Sequence, residues 1–281
     1  MKKPYLTLLL LSSICMATPL SAAPLQLFTS VIPIQTFIEK IGGSHVDVEA
    51  LIRPGEDPHS YQPTPRQIQQ LATADLYISV GTSFDQEWKG RIHAANPALR
   101  IVDAATGVSP HPHEAHTGAE EEDDPHLWTN PLQVIELANK IRAALSTLDP
   151  EHQATYQQNY LTFSAELRAL DREIAQLLSH STAVAFMVQH PVWGNFADRY
   201  GVRQIAIEEE GKSPRAKKLV QIIQLAKQSR IKVIFVQPQF SQRAAEQIAR
   251  EIGARITTVD PLAADYLPNL RHFAQQLSRS D

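Results

Sequence analysis

Four side chains that can bind metal ions stand next to prolines in this sequence. His59 lies in GEDPHSYQPTP, where three of eleven residues are proline, and His126 lies in DPHLWTNP. His190 and Asp260 each come directly before a proline. Imidazole and carboxylate groups are ligands of transition metals, and a proline-stiffened loop loses little entropy when it binds one. Taken singly, each motif is more typical of a strand-to-helix turn with a capping aspartate, so the four are candidates only as a set.

The other donors available to a metal are limited. The only cysteine, Cys15, lies in the amino-terminal apolar stretch, so an exported chain that has lost this stretch has neither thiolate ligands nor disulfides. Metal chemistry would therefore use His, Asp and Glu. Five histidines in polar, helix-like surroundings are interpreted as solvated surface residues without a role: His45, His93, His152, His180 and His272.

The amino terminus has the pattern of a secretory signal peptide. Lys2 and Lys3 precede the apolar run YLTLLLLSSICMATPL, which ends at the small residues SAA. We expect residues 1–23 to be removed and the rest to be exported through the Sec pathway. Ile14 stands before Cys15 where a lipoprotein signal needs a small residue, so lipid anchoring is not expected. No other stretch approaches the roughly 20 apolar residues that a membrane-spanning helix needs.

Charge and length bear on partners and domain count. Cleavage removes two of the 26 basic residues and none of the 30 acidic residues, which leaves a net charge of −6. No basic stripe is present, so binding to nucleic acid is not expected. The remaining 258 residues are enough for two lobes of roughly 100 to 150 residues each.

Apolar strands alternate with amphipathic helices in both halves of the mature chain. This alternation predicts two α/β lobes, each a parallel sheet with flanking helices. The predicted strands are LQLFTS, VDVEALI, DLYISV and RIVDA in the first half, and AVAFMV, RQIAI, KVIFVQ and RITTV in the second. The predicted helices are IPIQTFIEKIGG, TPRQIQQLATA, SFDQEWKGRIHAA, SPRAKKLVQIIQLAKQS and SQRAAEQIAREIG. His59, His190 and Asp260 each follow a predicted strand, where ligand sites of open parallel sheets gather.

A single long helix is predicted between the lobes. Apolar residues recur there at spacings of four and three, and Asp149 and Pro150 are suited to its cap and first turn. The pattern fits a helix packed on one lobe as well as a helix that bridges both. The predicted domains are residues 24–148, 149–180 for the linking helix, and 181–281.

Taken in order, these motifs resemble a known family. GEDPHSYQPTP, DPHLWTNP, the strand-end His190 with WGNFADRYG, EEEGKSP, and FVQPQFS followed by RITTVDP are similar to the solute-binding proteins of zinc and manganese ABC transporters, the ZnuA/TroA family (cluster A-I). The resemblance covers essentially the whole mature chain. It implies two lobes joined by one rigid helix, with a metal buried in the cleft. It implies further that His59 and His126 come from the first lobe, and His190 and Asp260 from the second.

The donor set that the resemblance implies favours zinc. Three imidazoles and one carboxylate suit tetrahedral Zn²⁺, whereas magnesium and calcium need more oxygen ligands. Manganese would prefer a second carboxylate, and His190 stands where family members have either His or Glu. Water or a neighbouring acid is an alternative to Asp260 as the fourth ligand.

The resemblance also implies a cellular role. It predicts a monomer in the periplasm that binds Zn²⁺ and passes it to an ABC transporter permease and its ATPase at the inner membrane. Alternatives within the family are a manganese-binding protein and an adhesin. A secreted zinc-dependent hydrolase is the alternative from another class, but HEAHT, beginning at His113, lacks the HExxH spacing and lies in a polar loop. An enzyme is therefore not expected.

Two polar segments have alternative interpretations. The loop at residues 109–125 contains His111, His113 and His116 followed by a run of acids. It is typical of a disordered surface loop, or else of a low-affinity zinc collector beside the cleft. In EEEGKSP, a loop with a helix cap is the simpler interpretation, and Glu208 as a hydrogen-bond partner of His190 is the alternative.

Overall fold

The computed structural model describes residues 23–108, 124–181, 184–208 and 212–279. Residues 1–22 of the predicted signal peptide and the three histidines of the polar loop lie outside the described residues. Among the described residues, no helix is both long and apolar enough to cross a membrane.

The first half of the chain forms a four-stranded parallel sheet in the order β2-β1-β3-β4. Leu27 of the first strand pairs with Val48 on one side and with Leu76 on the other. The strands are β1 (Leu25–Thr29), β2 (Val46–Ala50), β3 (Leu76–Ser79) and β4 (Arg100–Asp103). The helices that connect and follow them are α1 (Ile32–Gly42), α2 (Pro65–Leu71), α3 (Ser83–Ala95) and α4 (Pro131–Leu148).

The second half repeats this arrangement with the order β6-β5-β7-β8, again parallel throughout. Every residue of its two central strands is buried, because helices cover both faces of a parallel sheet. The strands are β5 (Ala185–Val188), β6 (Arg203–Ala206), β7 (Val233–Val236) and β8 (Arg255–Thr258). The helices are α6 (Gly194–Tyr200), α7 (Ala216–Gln228), α8 (Arg243–Ile252) and α9 (Tyr266–Ser278). The predicted fold class, two parallel-sheet lobes with flanking helices, is confirmed.

The linking helix α5 (Gln153–Ser179) follows a short 3-10 helix at Pro150–His152. Asp149 does not cap a backbone N–H with its side chain. Its carboxylate instead accepts hydrogen bonds from Tyr156 and from His152, whose ring stacks on His45 at a centroid distance of 3.7 Å. His45 and His152 are thus a stacked, half-buried pair, where freely solvated rings were expected.

Helix α5 contacts both lobes. On the side of the first sheet, Asn159 donates to the backbone oxygen of Ile41 at 2.9 Å. On the side of the second sheet, Arg199 binds both carboxylate oxygens of Asp171 at 2.8 and 2.7 Å. Of the two interpretations of its apolar face, the one in which this helix joins the lobes is confirmed. The residue limits of the domains stay a prediction.

The main hydrophobic core extends from the first sheet through α4, α5 and α9 to the inner face of the second sheet. A smaller core lies on the outer face of the second sheet, under α7 and α8. The aromatic ring of Phe273 on α9 is fully buried in the main core. Because that core continues across the lobes, the loops at the carboxyl ends of both sheets are set at definite positions.

Candidate metal centre

Three of the predicted ligands come together between the two sheets. His59 follows β2, His190 lies two residues beyond β5, and their Nε2 atoms are 3.0 Å apart. The ring centroid of His126, directly before the 3-10 helix Leu127–Thr129, lies 6.0 Å from that of His190. Residues more than a hundred positions apart meet here because the carboxyl ends of the two sheets face each other.

The histidines line a cavity of about 500 Å³. Its walls come from loops of both lobes and are largely apolar, with Val31, Val80 and Phe240 among them. Such walls lower the local dielectric constant around a bound ion and so strengthen its electrostatic interactions with its ligands.

Each of the three imidazoles makes a hydrogen bond through Nδ1. Such a partner fixes the orientation of a ligating ring and leaves Nε2 available for a metal. The partners are Ser83 Oγ for His59 at 3.1 Å, Asp124 Oδ1 for His126 at 2.5 Å, and Glu208 Oε2 for His190 at 3.0 Å.

His190 is held by both its ring and its backbone. The Gln237 side chain accepts from the backbone N–H of His190 at 3.2 Å and donates to its carbonyl oxygen at 2.8 Å. Glu208, which contacts the ring, also accepts from Gln189. Burial by itself would raise the pKa of Glu208, but the hydrogen bonds from His190 and Gln189 lower it. Glu208 is therefore a carboxylate partner of His190, as the alternative interpretation of EEEGKSP has it.

The two Asp-Pro-His motifs form the same local structure. Asp57 Oδ1 accepts from the backbone N–H of His59 at 2.9 Å, and Asp124 Oδ1 accepts from that of His126 at 2.9 Å. These aspartates thus bind the backbone of the histidine two residues further on. The simpler interpretation of each motif, an aspartate that caps a helix, does not describe them.

The pKa of His59 is lowered by burial and, next in size, by the neighbouring His190. A lower pKa favours the neutral imidazole, which is the form that binds metals.

The separation between the Nε2 atoms of His59 and His190 can be compared with the separation of two nitrogen ligands on one zinc ion. Two imidazole nitrogens bound to one tetrahedral zinc lie about 3.3 Å apart, since each Zn–N bond is about 2.0–2.1 Å. The 3.0 Å between the Nε2 atoms of His59 and His190 is close to this separation. Within residues 23–108, 124–181, 184–208 and 212–279, no group of three or more His, Asp or Glu side chains has metal-holding geometry. The 3.0 Å contact between His59 and His190 is also a hydrogen bond between the two rings, which an ion bound to both Nε2 atoms would replace.

Asp260 follows β8, as predicted, and its carboxylate is used within its own loop. Its Oδ1 accepts from Gln239 Nε2 at 2.7 Å and from the backbone N–H of Leu262 at 2.9 Å. Gln239, Pro261 and Leu262 line the cavity. That Asp260 is a metal ligand stays a prediction. The accessory metal-binding role of His111, His113 and His116 also stays a prediction, because these residues lie outside the described residues.

Two parallel-sheet lobes joined by a long helix, with a histidine-lined cavity between them, have the architecture of a solute-binding protein. Within that class, the profile of the family "Zinc-uptake complex component A periplasmic" matches residues 27–280. The chain belongs to this family. The resemblance seen in the sequence motifs is thereby confirmed.

Individual relatives agree with this assignment. The chain is similar to the crystal structure of ZnuA, with a TM-score of 0.85 and 38% identity over 91% of this chain and 98% of that one. The high-affinity zinc uptake system protein ZnuA of Bacillus subtilis is 28% identical over 261 residues, 85% of this chain and 78% of that protein.

The zinc-binding lipoprotein AdcA of Streptococcus pneumoniae serotype 4 is 27% identical over 251 residues, 85% of this chain. The chain spans about half the length of this relative, 50%. Because AdcA is named a lipoprotein, the expectation that this chain is not lipid-anchored has no support from the comparison.

Proposed function

We propose that this protein captures Zn²⁺ in the cleft between its lobes and delivers it to the permease and ATPase of an ABC transporter for zinc uptake. The observation that carries the proposal is the convergence of three imidazoles, each with Nδ1 engaged, at one cavity. Family membership supports uptake as the role and the periplasm as the place. Binding without catalytic turnover is part of the proposal.

The ligand chemistry supports zinc over manganese. His59, His126 and His190 supply nitrogen donors, and Asp260 is the proposed fourth ligand. Nitrogen donors suit zinc, whereas manganese sites are richer in carboxylate oxygen. The carboxylates nearest to the rings, on Asp124 and Glu208, are engaged with Nδ1 atoms.

The first test is a competitive zinc titration of residues 24–281 between pH 8 and pH 5. We expect one tight site whose affinity falls below about pH 6.5, the ordinary histidine pKa, because zinc binds only the neutral imidazole. The lowered pKa of His59 means that protons compete for this ring only at a lower pH than for an ordinary histidine. The affinity should fall by up to about tenfold per pH unit for each imidazole that must lose a proton.

Zinc affinity that stays constant down to pH 5 would contradict a site made of three histidines. The matched control is the same titration with residues 109–123 deleted. If the tight site is lost with this segment, then the polar loop, and not the cleft, binds the metal.

The transport role is tested by growth. A strain that lacks this protein should grow poorly when zinc is chelated, and added zinc should restore growth while added manganese should not. Restoration by manganese alone would favour the manganese-binding alternative. Normal growth under zinc limitation would contradict uptake and favour an adhesin or a metal buffer.

A further inference from the structure

Trp128 connects the loop of His126 to the loop of Asp260. Its side chain is buried, and its indole N–H donates to the carbonyl oxygen of Pro261 at 3.1 Å. Pro261 directly follows Asp260, and Trp128 lies two residues beyond His126. This hydrogen bond therefore runs between the two loops that carry predicted ligands of opposite lobes.

The loop on the side of His126 is closed by local hydrogen bonds. Trp128 is the middle residue of the 3-10 helix Leu127–Thr129. Thr129 donates to the carbonyl oxygen of His126 from its backbone N–H at 3.1 Å and from its hydroxyl at 3.0 Å. The indole ring meets the imidazole of His126 edge to face at a centroid distance of 5.2 Å. The indole and the imidazole are thus held in contact within one short hydrogen-bonded turn.

The loop on the side of Asp260 is equally constrained. The Asp260 carboxylate accepts from the backbone N–H of Leu262, which closes a tight turn around Pro261. Asn269 donates to the carbonyl oxygen of Asp260 at 2.7 Å and ties this turn to α9. Because Asp260 and Pro261 belong to the same tight turn, we expect Asp260 to shift when the carbonyl group of Pro261 shifts.

Other hydrogen bonds between the lobes are less protected from water. Thr36 donates to the carbonyl oxygen of Ala264 at an exposed position, and Asn195 donates to that of Asp124 at a partly buried one. The hydrogen bond of Trp128 is buried. Its loss would leave the buried carbonyl oxygen of Pro261 without this donor, which is the more costly case.

We propose that Trp128 is a positioning residue: its indole N–H sets the separation between the His126 loop and the Asp260 loop and must leave Pro261 before the ion is released. The proposal rests on the proposed function of the cleft. An interaction slows release only if it is lost on the way out of the bound state, so this hydrogen bond would be intact while the ion is held and broken as the lobes open.

The test is the Trp128→Phe variant of the full mature chain, which keeps most of the apolar ring and removes the donor. Zinc release is followed after mixing with excess chelator, and zinc association is followed separately. We expect zinc to dissociate faster on the order of tenfold, the effect of leaving one buried acceptor unpaired. The association rate should change by less than about twofold, because related sites differ mainly in dissociation.

Trp88→Phe is the matched control. Trp88 is also buried, but its indole N–H makes no hydrogen bond to the described part of the chain, and it does not line the cavity. Its replacement removes the same atoms without breaking a contact between the lobes.

The visible absorption of the protein loaded with Co²⁺ is a second measurement. Trp128→Phe should alter this absorption and Trp88→Phe should not.

The outcomes separate this inference from the function on which it rests. Equal dissociation rates for the two variants would overturn the role of Trp128, whereas absence of tight zinc binding in the unmodified chain would overturn the proposed function. If Trp128→Phe does not fold, the unmodified protein provides the test. Its Trp128 indole N–H should exchange slowly with solvent when zinc is bound and faster without zinc, and equal exchange in both states would overturn the inference.

Discussion

Replacement of His190 by alanine is expected to weaken zinc binding more than about 100-fold, since loss of a hydrogen-bond partner outside the ligand set already costs about 10- to 100-fold. The substitution removes the Nε2 atom that lies 3.0 Å from that of His59. It also leaves the Glu208 carboxylate, whose side chain is 6% exposed, without its imidazole partner. The measurement is a competitive titration with a zinc chelator at neutral pH.

Two further variants provide a comparison for the loss of zinc affinity in His190→Ala. Glu208→Gln keeps the shape of the side chain but removes its charge, and we expect affinity to fall by about 10- to 100-fold. Replacement of His111, His113 and His116 together by alanine should change affinity by less than about tenfold, because histidine-rich tracts bind metal loosely. If the triple variant loses more affinity than His190→Ala, the cleft is not the main site.

Replacement of Phe273 by alanine is expected to reduce the free energy of unfolding by about 3–5 kcal/mol, the usual cost of removing a fully buried aromatic ring. The ring is 0% exposed and lies at the centre of an aromatic cluster. Its neighbours, with centroid distances, are Trp193 at 3.8 Å, Phe235 at 4.6 Å, Phe196 at 4.8 Å and Phe186 at 5.5 Å. Unfolding in urea, followed by tryptophan fluorescence, measures the change.

This cluster also supports the candidate metal centre. Trp193, which stacks on Phe273, lies three residues after His190 and directly before α6. Leu161→Ala is the control, because Leu161 is 51% exposed and its loss should change stability by no more than about 0.5 kcal/mol. Similar losses for the two variants would mean that the cluster around Phe273 is not a centre of stability.

The local elements could largely be predicted from the sequence. RITTV was expected to be a strand and β8 is Arg255–Thr258, and SPRAKKLVQIIQLAKQS was expected to be a helix and α7 is Ala216–Gln228. The linking helix was also expected, but its apolar spacing did not decide between one lobe and two. Periodicity identifies the apolar face of a helix and contains no information about which elements cover that face.

For the metal centre, the limit of prediction lies at the partners of the histidines. Proline neighbours and strand ends identified His59, His126 and His190 as candidates. Ser83 is 24 positions from His59 in the chain, and no local pattern connects the two.

Away from the metal centre, one missed contact was within reach of the sequence. Asp149 and His152 are only three positions apart, and this spacing could have indicated the pair that the structure contains.

By itself, the sequence determined the α/β class, the strands of both sheets, most of the helices between them, and the loops that carry the candidate ligands; the core helices α4 and α9 were not among the predicted helices. These features follow from periodicity and from residues adjacent in the chain. Only the tertiary structure decided which loops meet: His59 reaches His190 over 131 positions, and Trp128 reaches Pro261 over 133. The physical reason is that strand order and the approach of the lobes depend on burial summed over one continuous core, to which every element contributes and which no short stretch of the chain contains.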